Sequence, residues 1–265
     1  MLDKLFSEEK IEYFSVLDYA SCNEISQDII ARESFTPRSV ILFLIPYYVS
    51  VPQNISIYAA PLDYHIYIRE VTCRIISALQ ERFPEGSFKG YGDHSPIDER
   101  DAALKGGLGI LGDSGLIINE KYGTFVFIGD IITDVDVSML GGAVMHDVKN
   151  CIHCGACRKA CPTGVLSGCS DSCLSAITQK KGELSGEEVE LMRKFNTVWG
   201  CDICQTACPY NKAPAITPIE FFHRNRIELL TSDILDSFSK DELRARAFGW
   251  RGRAVVKRNL EHLNF

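Results

Sequence analysis

The cysteines constrain this chain most, because nine of its eleven cysteines lie between residues 151 and 208. Thiols stay reduced in the cytosol, so cysteines crowded at short spacings are better explained by metal ligation than by disulfides. Segment 151–162 reads CIHCGACRKACP, and segment 199–209 reads WGCDICQTACP, which lacks the first cysteine of that pattern. The sequence therefore predicts a metal-organised region after a cysteine-poor stretch of about 145 residues.

The first segment has the C-x2-C-x2-C-x3-C-P spacing, in which three thiolates hold one [4Fe–4S] cluster and the fourth crosses to a second cluster. Gly155 and Ala156 keep the tight loop free of bulk, so that the thiolates can converge. Zinc is the alternative, but a structural zinc site usually pairs two separated C-x2-C units and seldom uses a run that ends in Cys-Pro. The spacing favours two iron–sulfur clusters.

The crossing rule divides the cysteines into two ligand sets. The first cluster is predicted to be held by Cys151, Cys154, Cys157 and Cys208. The second is predicted to be held by Cys161, Cys201, Cys204 and one more thiolate. Val198, three residues before Cys201, cannot bind iron, and both Cys169 and Cys173 lie between the motifs. Spacing does not decide between these two, while Cys22 and Cys73 are predicted to be buried free thiols.

Composition limits the class of protein. Hydrophobic residues make up 46% of the chain, which is ample for a packed core. The longest apolar run, Val40–Ile45, is far short of the ~20 residues that span a bilayer, and the start MLDKLFSEEK is too charged for a secretory signal. We therefore expect a soluble, cytoplasmic protein with no membrane contact. The net charge of −7 disfavours a surface built throughout for nucleic acid.

The cysteine-poor stretch mixes strand and helix signals. Ser39–Ile45 reads as a buried strand that Pro46 closes, and after Asp63 apolar residues recur at helical spacing up to Pro84. Two further runs, Leu116–Asn119 and Thr124–Ile128, predict a hairpin around a Lys-Tyr-Gly turn. The mixture predicts an α+β domain.

Three glycines, Gly107, Gly109 and Gly112, spell G-x-G-x-x-G just before these runs. A dinucleotide fingerprint needs strand, turn and helix in that order, and no strand leads into this motif. Glycines that let the backbone approach a flat ligand closely are the favoured interpretation.

The last part of the chain is predicted to be helical over Asp233–Ser237 and Lys240–Arg246. Six cations follow one another there with no acid between them: Arg244, Arg246, Arg251, Arg253, Lys257 and Arg258. Such a run forms either a solvated helix face or a contact for an anion or RNA.

These segments resemble the epoxyqueuosine reductase family, iron–sulfur and cobalamin enzymes that reduce epoxyqueuosine in tRNA to queuosine and share their core with reductive dehalogenases. The resemblance covers nearly the whole chain. Its cluster segments are CIHCGACRKACPTGVL, WGCDICQTACPYN and CLSAITQKKGEL; its other segments are DYHIYIREVTCRIISALQ, DHSPIDER, GGLGILGDSGLII and YGTFVFIGDIITD.

The resemblance implies an α+β fold with a nitroreductase-like cobalamin-binding domain over residues 1–145. A ferredoxin-like double [4Fe–4S] cluster domain would follow over 146–215, and a helical segment with the basic patch over 216–265. It also implies an external electron donor of the flavodoxin or ferredoxin type and tRNA contact through the tail at 244–258.

Site residues follow from the same resemblance. Cys173, which opens CLSAITQKKGEL, becomes the missing cluster ligand and leaves Cys169 spare. Asp93 becomes the proton donor to the substrate, a role that burial favours because desolvation raises the pKa of a carboxyl. Gly107, Gly109 and Gly112 become contacts for cobalamin, together with His94 and Tyr64. Tyr64, like His65, could equally be a structural residue at the start of a helix.

Three departures from the family pattern bear on the substrate. Asp113 replaces a basic residue after the glycine loop, His94 replaces a small hydroxyl residue beside Asp93, and the chain stops six residues after Asn259, where many members continue into a helical-repeat extension. A short relative acting on another substrate is therefore an alternative. A ferredoxin-like electron carrier is a second alternative, but it gives the first 145 residues no function. A tRNA-binding protein with purely structural clusters is disfavoured by the acidic net charge.

Overall fold

The computed structural model describes residues 1–169 and 172–265, which form two compact units. The first unit contains Met1–Tyr47 and His65–His153, and the second contains Tyr48–Tyr64 and Cys154–Phe265. This division differs from the expected boundaries at 145 and 215 in two ways. Residues 48–64 belong with the cysteine motifs, and residues 216–265 are part of that same unit.

The first half of the chain contains both strands and helices, and the second half is helical. The strands are β1 (Phe14–Asp18), β2 (Ser39–Pro46), β3 (Phe88–Tyr91), β4 (Ile110–Leu111), β5 (Ile117–Ile118) and β6 (Val126–Thr133). The helices of the first half are α1 (Leu2–Glu8), α2 (Gln27–Ile30), α3 (Tyr64–Arg82) and α4 (Glu99–Lys105). Those of the second half are α5 (Ala156–Ala160), α6 (Leu174–Thr178), α7 (Gly186–Lys194), α8 (Ile203–Thr206), α9 (Ser232–Ser237), α10 (Lys240–Arg244) and α11 (Arg253–Leu263).

The first unit is built on a sheet in the order β1-β2-β6-β3, and each neighbouring pair runs antiparallel. Every residue of β2 is buried, as expected for a continuous apolar run in the middle of a sheet. Val40 faces Ile132 and Leu42 faces Asp130 across the β2–β6 register. The predicted strand at 39–45 and the α+β class are confirmed.

The predicted hairpin between Leu116–Asn119 and Thr124–Ile128 is wrong. β5 pairs with β4, whereas β6 lies between β2 and β3 in the main sheet. The Asn119 side-chain oxygen accepts the N–H groups of Lys121 and Tyr122, and this tight turn separates the two runs. The apolar residues of β6 need partners on both edges, which a two-stranded hairpin does not provide.

Helix α3 confirms the helical spacing after Asp63. Its apolar face is buried through Ile68, Val71, Ile75 and Leu79. The expectation that Cys73 is buried is wrong: it is exposed, because its position turns it to the polar face of α3. Cys22 is half-buried.

The core of the second unit gathers around Trp199 and Phe248, both fully buried, with ring centroids 6.2 Å apart. Segment 48–64 joins this core through its backbone: the Ser56 N–H donates to the Trp199 carbonyl over 2.7 Å, and the Val198 N–H donates to the Asn54 carbonyl over 2.7 Å. The helices predicted near 233–237 and 240–246 are present as α9 and α10. Within residues 1–169 and 172–265, no helix has the length and apolar character needed to cross a bilayer.

Candidate metal centre and candidate active site

The thiols predicted for the second cluster all lie in the second unit, and those of Cys161 and Cys173 act electrostatically on Cys201 and Cys204. Burial and the neighbouring thiols of Cys173 and Cys161 raise the pKa of Cys201 to about 11. Burial raises the pKa of Cys204 to about 12, with contributions from Cys201, Cys173 and Cys161. Half-buried thiols that lie near one another resist deprotonation, and a bound metal ion stabilises their thiolate forms.

Cys161 differs from its neighbours. Burial acts against ionisation of this thiol, but the N–H groups of Leu166, Thr163 and Gly164 and the Thr163 hydroxyl together lower its pKa. Donors aimed at sulfur stabilise a thiolate, which is the form that binds iron.

The alternative ligand, Cys169, is exposed, and its Sγ lies 3.9 Å from the Ser167 carbonyl. Cys173 instead precedes α6 as its N-cap residue and borders a cavity of about 550 Å³ that Lys180 and Arg251 also line. Cys173 therefore differs from Cys169 in acting on the pKa of Cys201 and Cys204 and in bordering this cavity.

Helices α5 and α8 carry the middle cysteines of the two motifs and pack against each other. Cys157 lies on α5, and Cys204 lies on α8. Gly155, before α5, has φ +72°, a left-handed conformation that explains the glycine of the C-G-A-C turn. Of the predicted first-cluster ligands, Cys154, Cys157 and Cys208 belong to the second unit, while Cys151 lies near the end of the first.

Asp202, next to Cys201, holds the second motif in place through hydrogen bonds. The sequence pattern did not predict this role. Its carboxylate accepts the Ser56 hydroxyl and the Ile57 N–H, each over 2.6 Å, and the Gln205 side-chain amide over 3.0 Å. Burial raises the pKa of Asp202, and these three donors oppose that shift. The Asp and Gln of GCDICQ could have signalled this role, because both side chains fix the cysteine loop to segment 48–64.

We expect Asp202→Ala to lower the free energy of unfolding by roughly 3 kcal/mol, because it leaves buried donors without an acceptor. Chemical denaturation of the anaerobic protein measures this change. Glu190→Ala, at an exposed position of α7, is the matched control and should change stability by less than about 0.5 kcal/mol. Equal effects of the two substitutions would contradict the anchoring role.

Asp93 lies in a turn after β3 in the first unit, with φ +62°. Its carboxylate is 3.6 Å from His65 Nε2, and both side chains are about half exposed. Its backbone N–H donates to Glu99 Oε1 over 3.1 Å. The shielded environment expected for Asp93 is therefore not found at its own carboxyl.

Two acids behind this turn, Glu99 and Asp130, are more shielded from solvent than Asp93. Asp130 lies on β6, is fully buried and accepts the Ser95 hydroxyl over 3.1 Å. Burial raises the pKa of Asp130. Burial, followed by the charges of Asp130 and Asp93, raises the pKa of Glu99. An aspartate within the apolar run of β6 was the signal in the sequence for this pair.

The remaining candidates for cofactor contact are dispersed. His94 is exposed beside Asp93, whereas Tyr64 is buried and packs edge-on to Tyr58 within the second unit. A Cβ on Gly109 would come within 2.7 Å of the Ile118 carbonyl oxygen, and one on Gly107 within 2.5 Å of the His146 ring. A Cβ on Gly112 would come within 3.0 Å of the Leu116 carbonyl oxygen. Packing of the chain on itself therefore explains these glycines.

Asp113 has a partner within the first cysteine motif. Its Oδ1 is 2.7 Å from His153 Nδ1, and the same nitrogen is 4.0 Å from the Cys151 thiol. The acid at position 113 is thus matched by a histidine between the first two motif cysteines. This pairing gives the departure at Asp113 a local structural reason that is separate from substrate choice.

The basic tail is largely occupied by contacts within the second unit. Arg246 donates to the carbonyls of Asn225 and Ala60, Arg253 donates to those of Leu235 and Phe238, and Arg258 donates to those of Lys180 and Gly182. Three of the six cations, Arg246, Arg253 and Arg258, therefore bind main-chain carbonyls of this unit. Arg244 and Lys257 are exposed, and Arg251 lies over the exposed Trp250 ring, 3.8 Å from its centroid.

Known proteins resemble this chain in sequence and in fold. Residues 150–211 match the family described as "4Fe-4S double cluster binding domain". Epoxyqueuosine reductase of Aliivibrio fischeri is 34% identical over 193 residues, which are 71% of this chain and 50% of that protein. The chain thus spans about half the length of that relative.

A solved epoxyqueuosine reductase in complex with an epoxyqueuosine-modified tRNA-Tyr stem loop superposes with a TM-score of 0.76. The superposition covers 99% of this chain and 80% of that one at 20% identity, which establishes the fold. Epoxyqueuosine reductase of Leadbetterella byssophila is 30% identical over 238 residues, which are 85% of this chain and 74% of that protein. A double-cluster domain, a shared fold and a relative matched over most of both sequences lead to one conclusion: the chain belongs to the epoxyqueuosine reductase family.

Proposed function

We propose that this chain is an iron–sulfur and cobalamin-dependent reductase that converts epoxyqueuosine in tRNA to queuosine. The proposal is carried by the electrostatic proximity of Cys161, Cys173, Cys201 and Cys204 in a chain of this family, together with the half-exposed carboxyl of Asp93. Reduction of an epoxide to an alkene takes up two electrons and two protons and releases water. The protein must therefore deliver both electrons and protons.

The cysteines supply the electron path. Cys161, Cys173, Cys201 and Cys204 would hold one [4Fe–4S] cluster, and Cys151, Cys154, Cys157 and Cys208 would hold the other. The donor set fits, because the thiols of the second set act on one another electrostatically and thiolates are the ligands that iron–sulfur clusters use. Electrons would enter from an external donor of the flavodoxin or ferredoxin type.

Asp93 would supply a proton to the oxygen that leaves the substrate. Its carboxyl is reachable from solvent, and His65 beside it can return a proton after each turnover. Cobalamin, when bound, supplies the reducing electrons at the substrate carbon. Asp93, His65 and His94 are exposed polar side chains that cobalamin could contact. The glycines at 107, 109 and 112 are instead explained by packing within the chain.

For tRNA, the relative solved with a modified stem loop supports the substrate class. In this chain the exposed Arg244 and Lys257 would contact phosphates, and Trp250 with Arg251 would stack on an unpaired base. Within the segment 244–258, we therefore expect four residues to contact tRNA: Arg244, Trp250, Arg251 and Lys257.

The test is anaerobic turnover of tRNA that carries epoxyqueuosine, read by nucleoside mass after reconstitution with iron, sulfide and hydroxocobalamin. We expect cobalamin absorbance to coelute with the protein in gel filtration and queuosine to accumulate under a chemical reductant. Bound clusters without any retained corrinoid would favour the electron-carrier alternative. Retained corrinoid without queuosine would favour a different substrate.

A further inference from the structure

We propose that Glu99 and Asp130 share a single proton and that this carboxyl pair positions the Asp93 turn from its buried side. The pair would act on Asp93 and would not itself meet the substrate. Its catalytic consequence rests on the proposed function, but the pair and its effect on the turn do not.

The first step is the strain in the turn. Asp93 has φ +62°, a left-handed conformation that is less strained for aspartate than for most residues with a Cβ but that neighbouring contacts still help to hold. One contact that helps to hold it is the hydrogen bond from the Asp93 N–H to Glu99 Oε1 over 3.1 Å. Glu99 is itself fixed in the first turn of α4, because the Asp98 carboxylate caps that helix by accepting the N–H groups of Arg100 and Asp101.

The second step is the buried acid behind the turn. Asp130 Oδ2 accepts the Ser95 hydroxyl over 3.1 Å, and Asp130 lies near enough to Glu99 for each carboxyl to act on the pKa of the other. Asp130 therefore lies behind the 93–99 segment at both Ser95 and Glu99. Asp130 Oδ1 is buried and has no donor among the described residues while both acids are ionised. A proton on Glu99 would supply that donor.

The third step is electrostatic. Two ionised carboxylates in contact away from water repel each other strongly, so a pair of this kind retains one proton. Asp93 adds a third acid on the same side, and Asp130 also acts on the neutral side chains of Tyr19, Tyr91 and Cys22. Lys105 and Asp101 act on Cys22 from α4. Burial, followed by the charges of Asp130 and Asp93, raises the pKa of Glu99. We therefore expect the pair to hold its proton at neutral pH and to lose it in alkali.

Loss of that proton removes the donor to Asp130 and places two negative charges behind Asp93. The turn should then loosen as pH rises. Glu99→Gln imitates the protonated state, because its carbonyl can still accept the Asp93 N–H while its amide donates to Asp130. Glu99→Ala removes both contacts.

The experiment is hydrogen–deuterium exchange of residues 92–98 in the full chain with its clusters reconstituted, corrected for intrinsic exchange, between pH 6 and pH 10. We expect wild-type protection to fall by about tenfold toward the alkaline end, Glu99→Gln to keep its protection throughout, and Glu99→Ala to lack it at every pH. Glu190→Gln, at an exposed position, is the control and should behave as wild type.

Infrared spectra provide a second readout, since a protonated carboxyl absorbs apart from carboxylates. Wild-type protein at pH 7 should show this band, and Glu99→Gln should lose it. A Glu99→Gln variant as pH-sensitive as wild type, or a wild type without the band at pH 7, would overturn the proposal. Neither readout involves epoxyqueuosine, so a failed turnover assay leaves this test intact.

Discussion

Replacing Cys173 by alanine is expected to remove one of the two clusters and about half of the iron, while Cys169→Ala keeps both clusters. Cys173 lies near enough to the half-buried Cys201 and Cys204 to raise the pKa of both, and a cubane that lacks one of four thiolates is readily lost. Cys169 is exposed and directed toward the Ser167 carbonyl. The measurement is iron and sulfide per chain after anaerobic reconstitution.

Cys73→Ala, on the exposed face of α3, is the matched control for loss of a thiol and should retain full iron. Electron paramagnetic resonance of the reduced protein adds a second measurement. Wild type should show two interacting clusters, and Cys173→Ala should show the simpler spectrum of one. Loss of iron from Cys169→Ala but not from Cys173→Ala would mean that the ligand assignment is wrong.

Asp93→Asn is expected to lower kcat for epoxyqueuosine reduction by about 10²- to 10⁴-fold, because an amide cannot donate the proton that the departing oxygen needs. The side chain is half exposed and lies in a turn, so the substitution should leave iron content and thermal stability unchanged. Single-turnover assays by nucleoside mass measure the rate.

Asp147→Asn removes an exposed carboxylate elsewhere in the first unit and serves as the control. Cobalamin retention should be the same in both variants, which separates a defect in proton delivery from a defect in cofactor binding. Unchanged turnover by Asp93→Asn would exclude Asp93 as the proton donor.

Features set by neighbours in sequence could be predicted, and those set by distant partners could not. The cysteine spacing and the apolar run of β2 are local patterns, so the double cluster and the buried strand were both expected. The partner of β6 was missed because the hairpin turn around Lys121 is also a local signal, and only the assembled sheet shows that β2 and β3 take up both edges.

The candidate site shows the same limit. Resemblance indicated Asp93, but the acids behind it come from α4 and β6 and meet only through folding. The basic tail could be counted in the sequence, yet the acceptors of Arg246, Arg253 and Arg258 are main-chain carbonyls, which have no sequence signature.

Residues 48–64 have a practical consequence, since they lie in the second unit although they precede α3 in the chain. A fragment that begins at residue 146 would keep every cysteine of the two motifs but would lack Asn54, Ser56 and Ile57, which bind Val198, Trp199 and Asp202. Such an excised ferredoxin should aggregate or fail to retain its clusters. Adding residues 48–64 back as a separate peptide should restore them, which makes the chain a natural candidate for fragment complementation.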